Sequence, residues 1–255
     1  MPKINENRLI EEFKKRESFS RDELFDFFRN LEPDLKEGTL GWRIYDLKDK
    51  NIIKPVKRGL YTISYKPKFK PVLSGEFIKL TKKIQEKFQE VKYCIWETDW
   101  LNEFSQHQTS KRILIIEIEK EFVESLYYYL KDTFKHDLYI NPDDKAIDFY
   151  ISESDHPVVI KKLITRSPIE KRTESKVKFS TPLLEKILVD LFAEEKLFYI
   201  YQGSELMHIY ENAINLYTIN YTKLFSYAKR REREREIKSF ITNNMEYLIK
   251  DIIND

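Results

Sequence analysis

Residues Glu32 to Ser64, EPDLKEGTLGWRIYDLKDKNIIKPVKRGLYTIS, constrain what this chain can fold into more tightly than any other stretch. Leu40, Ile44 and Leu47 recur at helical spacing and form one apolar stripe, and Thr39 stands where a helix cap is expected. Ile52 to Val56 and Leu60 to Ser64 are β-prone runs separated by Lys57, Arg58 and Gly59, a three-residue loop whose glycine suits a positive φ. A short helix followed by a basic hairpin is therefore expected.

Two more helical patterns precede it. Asn5 or Asn7 can cap a helix reaching about Lys15, with Leu9, Ile10 and Phe13 on one side. Ser20 to Glu23 has the spacing of a capping box, and Pro33 stops the helix that follows. Three helices and two strands within residues 1–66 give the order of a winged helix-turn-helix, a size and order used to bind DNA. Lys54, Lys57, Arg58, Lys66, Lys68 and Lys70 lie in a run free of acidic residues, and residues 1–72 carry 17 Lys+Arg against 12 Asp+Glu while the whole chain is only +2. The basic excess sits with this module. In it, Arg43 is placed to reach guanine, Lys36 and Thr39 to meet bases or phosphate at the helix entrance, and Lys57 and Arg58 to hold phosphate at the wing tip. Trp42 lies off the apolar stripe and can face either DNA or another surface.

The proline-interrupted segment from Tyr65 to Pro71 marks a boundary, and residues 72–255 read as a second domain. Helical patterns at Gly75 to Phe88 and Lys120 to Phe134 alternate with strand patterns at Tyr93 to Thr98, Arg112 to Glu117, Leu138 to Ile140 and Pro157 to Ile160. From Thr181, read as a cap with Pro182 in the first turn, the pattern is helical, through Ser204 to Leu216 and Tyr221 to Tyr227 to a helix ending near Ile253. The expected fold class is α+β: a winged helix, then a mixed α/β domain with a helical C-terminal portion. The charged stretch KRREREREIK, Lys229 to Lys238, reads as a solvated helix face with Glu234 and Lys238 paired.

Chemistry is sparse. Five glycines leave no phosphate-cradling loop, and four scattered histidines lack metal-ligand spacing, so neither a cofactor nor a bound metal is expected. Cys94, the single cysteine, lies in the apolar run KYCIW and reads as an inert buried thiol, which suits a reducing cytoplasm. No stretch approaches the roughly 18 apolar residues of a membrane span. Carboxylates allow one enzymatic alternative: a metal-dependent nuclease would need Glu117, Glu119, Asp143 and Asp148 to converge. A stand-alone regulator with a ligand-sensing second domain is the other alternative, and it requires a sizeable pocket there.

RGLYTIS in the wing, with VVIKKLITRSPIE and TPLLEKILVDLF further on, resembles the AbiEi-type antitoxins of type IV toxin–antitoxin systems. That resemblance covers most of the chain. It implies a cytoplasmic, non-enzymatic phage-defence protein whose winged helix binds double-stranded operator DNA and represses its own operon, with a homodimer on DNA compatible with this role. Its second domain would oppose a nucleotidyltransferase-like toxin without a stable complex. The resemblance places Thr39, Trp42, Arg43, Lys57, Arg58 and Tyr61 in the DNA-reading module. It places Lys161, Lys162 and Arg166, with Glu185 to Asp190, in the antitoxin domain.

Overall fold

The computed structural model describes residues 6–50, 52–63, 67–174 and 177–253, with side chains as far as residue 245. Its first part runs α1 (Glu6–Phe13), β1 (Phe19–Ser20), α2 (Arg21–Leu31), α3 (Glu37–Asp49), β2 (Lys54–Lys57) and β3 (Leu60–Thr62). The capping box forms as its spacing requires. Ser20 Oγ accepts from the Glu23 N–H at 3.1 Å, and Glu23 Oε2 accepts from the Ser20 N–H at 2.7 Å. Thr39 does not cap α3. Lys36 occupies the N-cap position without a side-chain bond, because the helix starts at Glu37, three residues before the apolar stripe opens at Leu40. Asn5, Ser64, Tyr65 and Lys66 lie outside the described residues.

β1, β3 and β2 form an antiparallel sheet in that order, with Gly59 at φ 79° in the turn. Leu9, Phe13, Phe19, Leu24, Phe28, Leu40, Ile44 and Leu47 close a core beneath it. The pairing of β2 with β3 shifts register between Pro55 and Lys57, and Val56 at that irregularity is buried in the other, larger core. The hairpin is thus attached to the rest of the chain. Phe69 is buried there too, against Phe104 and Tyr217 at 5.1 and 5.3 Å between ring centroids. What reads as a linker in sequence is, from Pro67 on, packed chain.

The larger part begins with α4 (Gly75–Lys87), whose N-cap Ser74 accepts from the Phe77 N–H at 3.0 Å. A four-stranded sheet follows from β4 (Tyr93–Glu97), β5 (Leu114–Ile118), β6 (Leu138–Ile140) and β7 (Val158–Lys162), ordered β4-β5-β7-β6. β4 is antiparallel to β5, while β5, β7 and β6 are mutually parallel. Between β5 and β6 runs α5 (Val123–Thr133), preceded by a 3-10 turn at Lys120–Phe122. Between β6 and β7 runs the single turn α6 (Asp144–Ala146), continuing as a π-helical turn at Ile147–Ile151. Every residue of β5 is buried, as its apolar run implies.

A hairpin, β8 (Ile169–Glu174) with β9 (Val177–Pro182), lies over β4 and α4, and its strands have no counterpart in the sequence expectation. Thr181 and Pro182 finish β9 and do not open a helix. The next helix, α7 (Leu184–Ala193), starts after Leu183. α8 (Ser204–Leu216), α9 (Tyr221–Arg230) and α10 (Glu234–Ile253) complete the chain. The fold is α+β, and among the described residues no helix is long and apolar enough to cross a membrane.

Replacing Ser20 by Ala removes the acceptor at the α2 N-terminus. It is expected to cost about 1 kcal/mol in urea unfolding, while Ser20→Asp is expected to retain most of the stability.

Candidate functional site

On α3, Leu40, Ile44 and Leu47 are buried, which turns Gly38, Gly41, Trp42, Tyr45 and Asp49 outward by helical geometry. Trp42 is 72% and Tyr45 65% exposed, and their rings meet edge to face at 6.4 Å between centroids. A Cβ added at Gly38 or Gly41 would meet nothing within 4 Å, so the helix backbone is open to close approach on this side. Lys36 and Thr39 are exposed at the entrance of the helix.

Arg43, expected to reach guanine, is instead a packing residue. Its Nη2 donates to Glu32 Oε2 at 2.6 Å, its guanidinium lies over the Phe28 ring at 4.8 Å, and only 11% of its side chain is exposed. The stripe geometry explains this, because position 43 falls next to the buried residues 40, 44 and 47 and not opposite them. Tyr61 is also withdrawn. Its ring is buried with Lys48 Nζ 5.2 Å above it, and burial pushes its phenol pKa up. Of the wing-tip pair, Lys57 is half-buried and Arg58 exposed. The Arg58 backbone N–H donates to Thr222 Oγ1 of α9 at 3.2 Å. The β2–β3 hairpin is seated on the larger part of the chain.

A second group of charges lies inside the larger core. Glu117 on β5 stands in register between Cys94 on β4 and Lys161 on β7, so the three side chains share one face of the sheet. α7 covers that face and brings in Lys186 and Asp190, one helical turn apart and both fully buried. Lys186 Nζ contacts Glu117 Oε2 and Asp190 Oδ2, while Tyr227 of α9 donates its hydroxyl to Asp190 Oδ1 at 2.9 Å. Glu117 is held by charge more than by directed hydrogen bonds: Lys161 Nζ stands 3.5 Å from Oε1, and neither oxygen has a well-aligned donor. The chain of charges then reaches the surface, where Lys161 Nζ and Arg231 Nη2 both bind the Glu194 carboxylate, at 2.6 and 2.7 Å.

Burial opposes the ionisation of Lys186 and of Asp190, and their neighbours outweigh it. Asp190 and Glu117 hold the Lys186 ammonium well above its ordinary pKa. Lys186, Lys161 and Arg231 hold the Asp190 carboxyl below its own. Burial pushes the Cys94 thiol well up, so it is an inert neutral group. The pattern LEKILVDL carried the signal for this network in sequence: a Lys and an Asp four apart inside a helix apolar on nearly every side must pair. Arg231 was hidden by its setting. It reads as part of a solvated charge run, yet only 15% of its side chain is exposed; the expected Glu234–Lys238 pair does form, at 2.9 Å.

The other expected carboxylates do not gather. Glu117 is taken up by Lys186 and Lys161, and Asp143 caps α6 by accepting from the Ala146 N–H at 2.8 Å. Among the described residues no group of three His, Cys, Asp or Glu side chains is placed to hold a metal ion. The arrangement that a metal-dependent nuclease needs is not formed by these four residues. Lys162 is exposed at the end of β7 beside Lys161, and Arg166 is held at φ 59° in the turn before β8.

The structure therefore defines an α+β protein with a small three-helix, three-strand module seated by its hairpin on a helix-covered mixed sheet that encloses an ion network. The chain belongs to the Family of unknown function (DUF6577), whose match spans residues 39–247, from within α3 to α10. A search of curated proteins found no match.

Removing the Lys186 cation by Lys186→Met takes from Glu117 and Asp190 the one cation that contacts both and leaves them the more distant Lys161 and Arg231, and the expected cost is about 3–5 kcal/mol in urea unfolding. Adding Glu117→Gln and Asp190→Asn is expected to recover most of that loss; failure to recover would show that shape, not charge, set the cost. Because the folded pKa of Asp190 is depressed, its contribution is present above its ordinary value of 3.8 and is lost as pH falls through the folded value. The slope of stability against pH below 3.8 is thus expected to be shallower in Asp190→Asn.

Proposed function

We propose that the chain is a double-stranded DNA-binding regulator of the AbiEi antitoxin type, acting from the cytoplasm and opposing a nucleotidyltransferase-like toxin. The observation that carries the DNA half is the order helix, strand, helix, helix, strand, strand, with β3 between β1 and β2, which supports reading the module as a winged helix-turn-helix. α3 is then the recognition helix. Gly38 and Gly41 let its backbone approach the groove, Thr39, Trp42 and Tyr45 face the base edges, and Lys36, Lys57 and Arg58 hold phosphates. Arg43 has no part in reading bases, since Glu32 and Phe28 already hold it.

The antitoxin half rests on the resemblance of the wing and of the segments around Lys161, Lys162 and Arg166. Co-expression with a nucleotidyltransferase-like toxin encoded beside it is expected to relieve the toxin's growth arrest without co-purification of the two. Unrelieved arrest would overturn this half and leave the DNA half standing.

One observation favours a second reading. The outward face of α3 holds two exposed aromatics and Asp49, and Lys48 at its edge is drawn over the Tyr61 ring, a composition suited to docking on protein. A gel shift on the DNA upstream of the gene separates the two. On the DNA reading, the triple variant Lys36→Ala, Lys57→Ala, Arg58→Ala weakens binding of all sequences and lowers the salt dependence by about one ion per lost phosphate contact. Trp42→Ala is expected to lose discrimination between that DNA and unrelated duplex, and Arg43→Ala to lose stability, by about 1 kcal/mol, before it loses discrimination. Absence of binding by the wild-type chain, with a change of oligomeric state in Trp42→Ala, would establish the docking reading instead.

A further inference from the structure

The carboxyl ends of β6 and β7 open into a cleft of about 490 Å³, within the size range of small-molecule sites. In open sheets with parallel strands, ligands bind outside these carboxyl ends, where loops diverge. Lys161 and Arg231, both largely buried, lie at its floor, Lys162 and Arg233 also line it, and Ile164 and Ala193 give it accessible apolar surface.

Two features show that this cleft is built and not incidental. Asn141, just past β6, lines it at φ 39°, and Glu232 sits at φ 61° between Arg231 and Arg233. In an unbroken helix, side chains two residues apart point to well-separated directions; the left-handed residue between them brings both arginines to one cleft. Such backbone conformations are costly for residues with a Cβ and gather at functional sites. The second feature is the floor. Lys161 Nζ lies 2.6 Å from each oxygen of Glu194, and Arg231 Nη2 lies 2.7 Å from Oε1, so two cations already converge on one anion at the mouth of the buried network.

The charge of the lining residues is positive: five cations against Asp144, Glu194 and Glu195. Asp144 is spent on Lys196 and Glu194 on the floor, and Glu195 lies exposed. Lys162 makes no ion pair among the described residues, and Arg233 has only Glu236 of its own turn, at 2.8 Å with both side chains well exposed. Lys162 and Arg233 come from different elements, the end of β7 and the turn between α9 and α10, and both line the cleft.

We propose that this cleft binds a small phosphate-bearing metabolite, with the phosphate between Lys162 and Arg233 above the Lys161–Arg231 floor and the uncharged part against Ile164 and Ala193. The inference stands apart from DNA binding and does not depend on it.

Isothermal titration of the full-length chain with ADP, glucose phosphate and inorganic pyrophosphate, and with adenosine as the uncharged control, tests it. At least one phosphate compound is expected to saturate at or below about 1 mM while adenosine does not. Lys162→Ala with Arg233→Ala is expected to weaken that binding at least about tenfold at an unchanged unfolding midpoint. Glu194→Gln, which removes the competing negative charge, is expected to tighten it. No saturable binding by any phosphate compound overturns the proposal, as does binding that the double variant leaves unchanged or that Glu194→Gln fails to tighten.

Discussion

The ammonium of Lys186, fully buried between Glu117 and Asp190, is the interaction on which the larger part of the chain depends. It joins the sheet to the helices. Glu117 comes from the central strand β5, Lys186 and Asp190 from α7, and Tyr227 and Arg231 from α9 and the turn after it. An apolar contact among these elements would tolerate sliding by a fraction of a turn. Charges in a medium that cannot screen them do not, because each loses its partner when the register changes. Lys161, Lys186 and Arg231 balance Glu117, Asp190 and Glu194, so the network is neutral as a whole and can be enclosed at its inner end.

Periodicity is a reliable guide where one face of an element is buried and the other is wet. That is why α1, α2, α4 and α8 are legible from their apolar spacing, and why β5 is legible as an apolar run broken only by Glu117. It fails for β8, because IEKRTE has a single apolar residue and no buried face, and β9, which does alternate over Val177 to Ser180, offers too short a run before Thr181 and Pro182. Thr181 and Pro182 compound the failure: the same pair opens a helix or closes a strand equally well, and only the pairing of Ile169 with Pro182 decides.

The candidate sites divide in the same way. Lys36, Thr39 and Trp42 are placed on an exposed face by helix geometry alone. Arg43 differs by a single residue step, about 100° of rotation, which carries it from the outward face to the edge of the core. The cleft was not legible because its residues come from positions 141 to 233 and meet only through the parallel pairing of β6 and β7 and the left-handed turn at Glu232. What the sequence did contain was the clue behind it, polar residues set into apolar runs at Glu117, Lys161, Lys186 and Asp190.

α9 relates the two regions. Thr222 in its first turn accepts the backbone N–H of Arg58 in the wing, and Arg231 at its end reaches Glu194 in the cleft. Between them Tyr221, Leu224, Tyr227 and Ala228 are buried against the core, so the helix is held along its length and its two ends are fixed relative to each other. A ligand that drew Arg231 away from Glu194 would act on the same rigid element that seats the wing. Packed helices respond to such a change by small shifts between discrete arrangements and not by bending. Between its ends, the Tyr227 hydroxyl bound to Asp190 ties α9 to the buried charges.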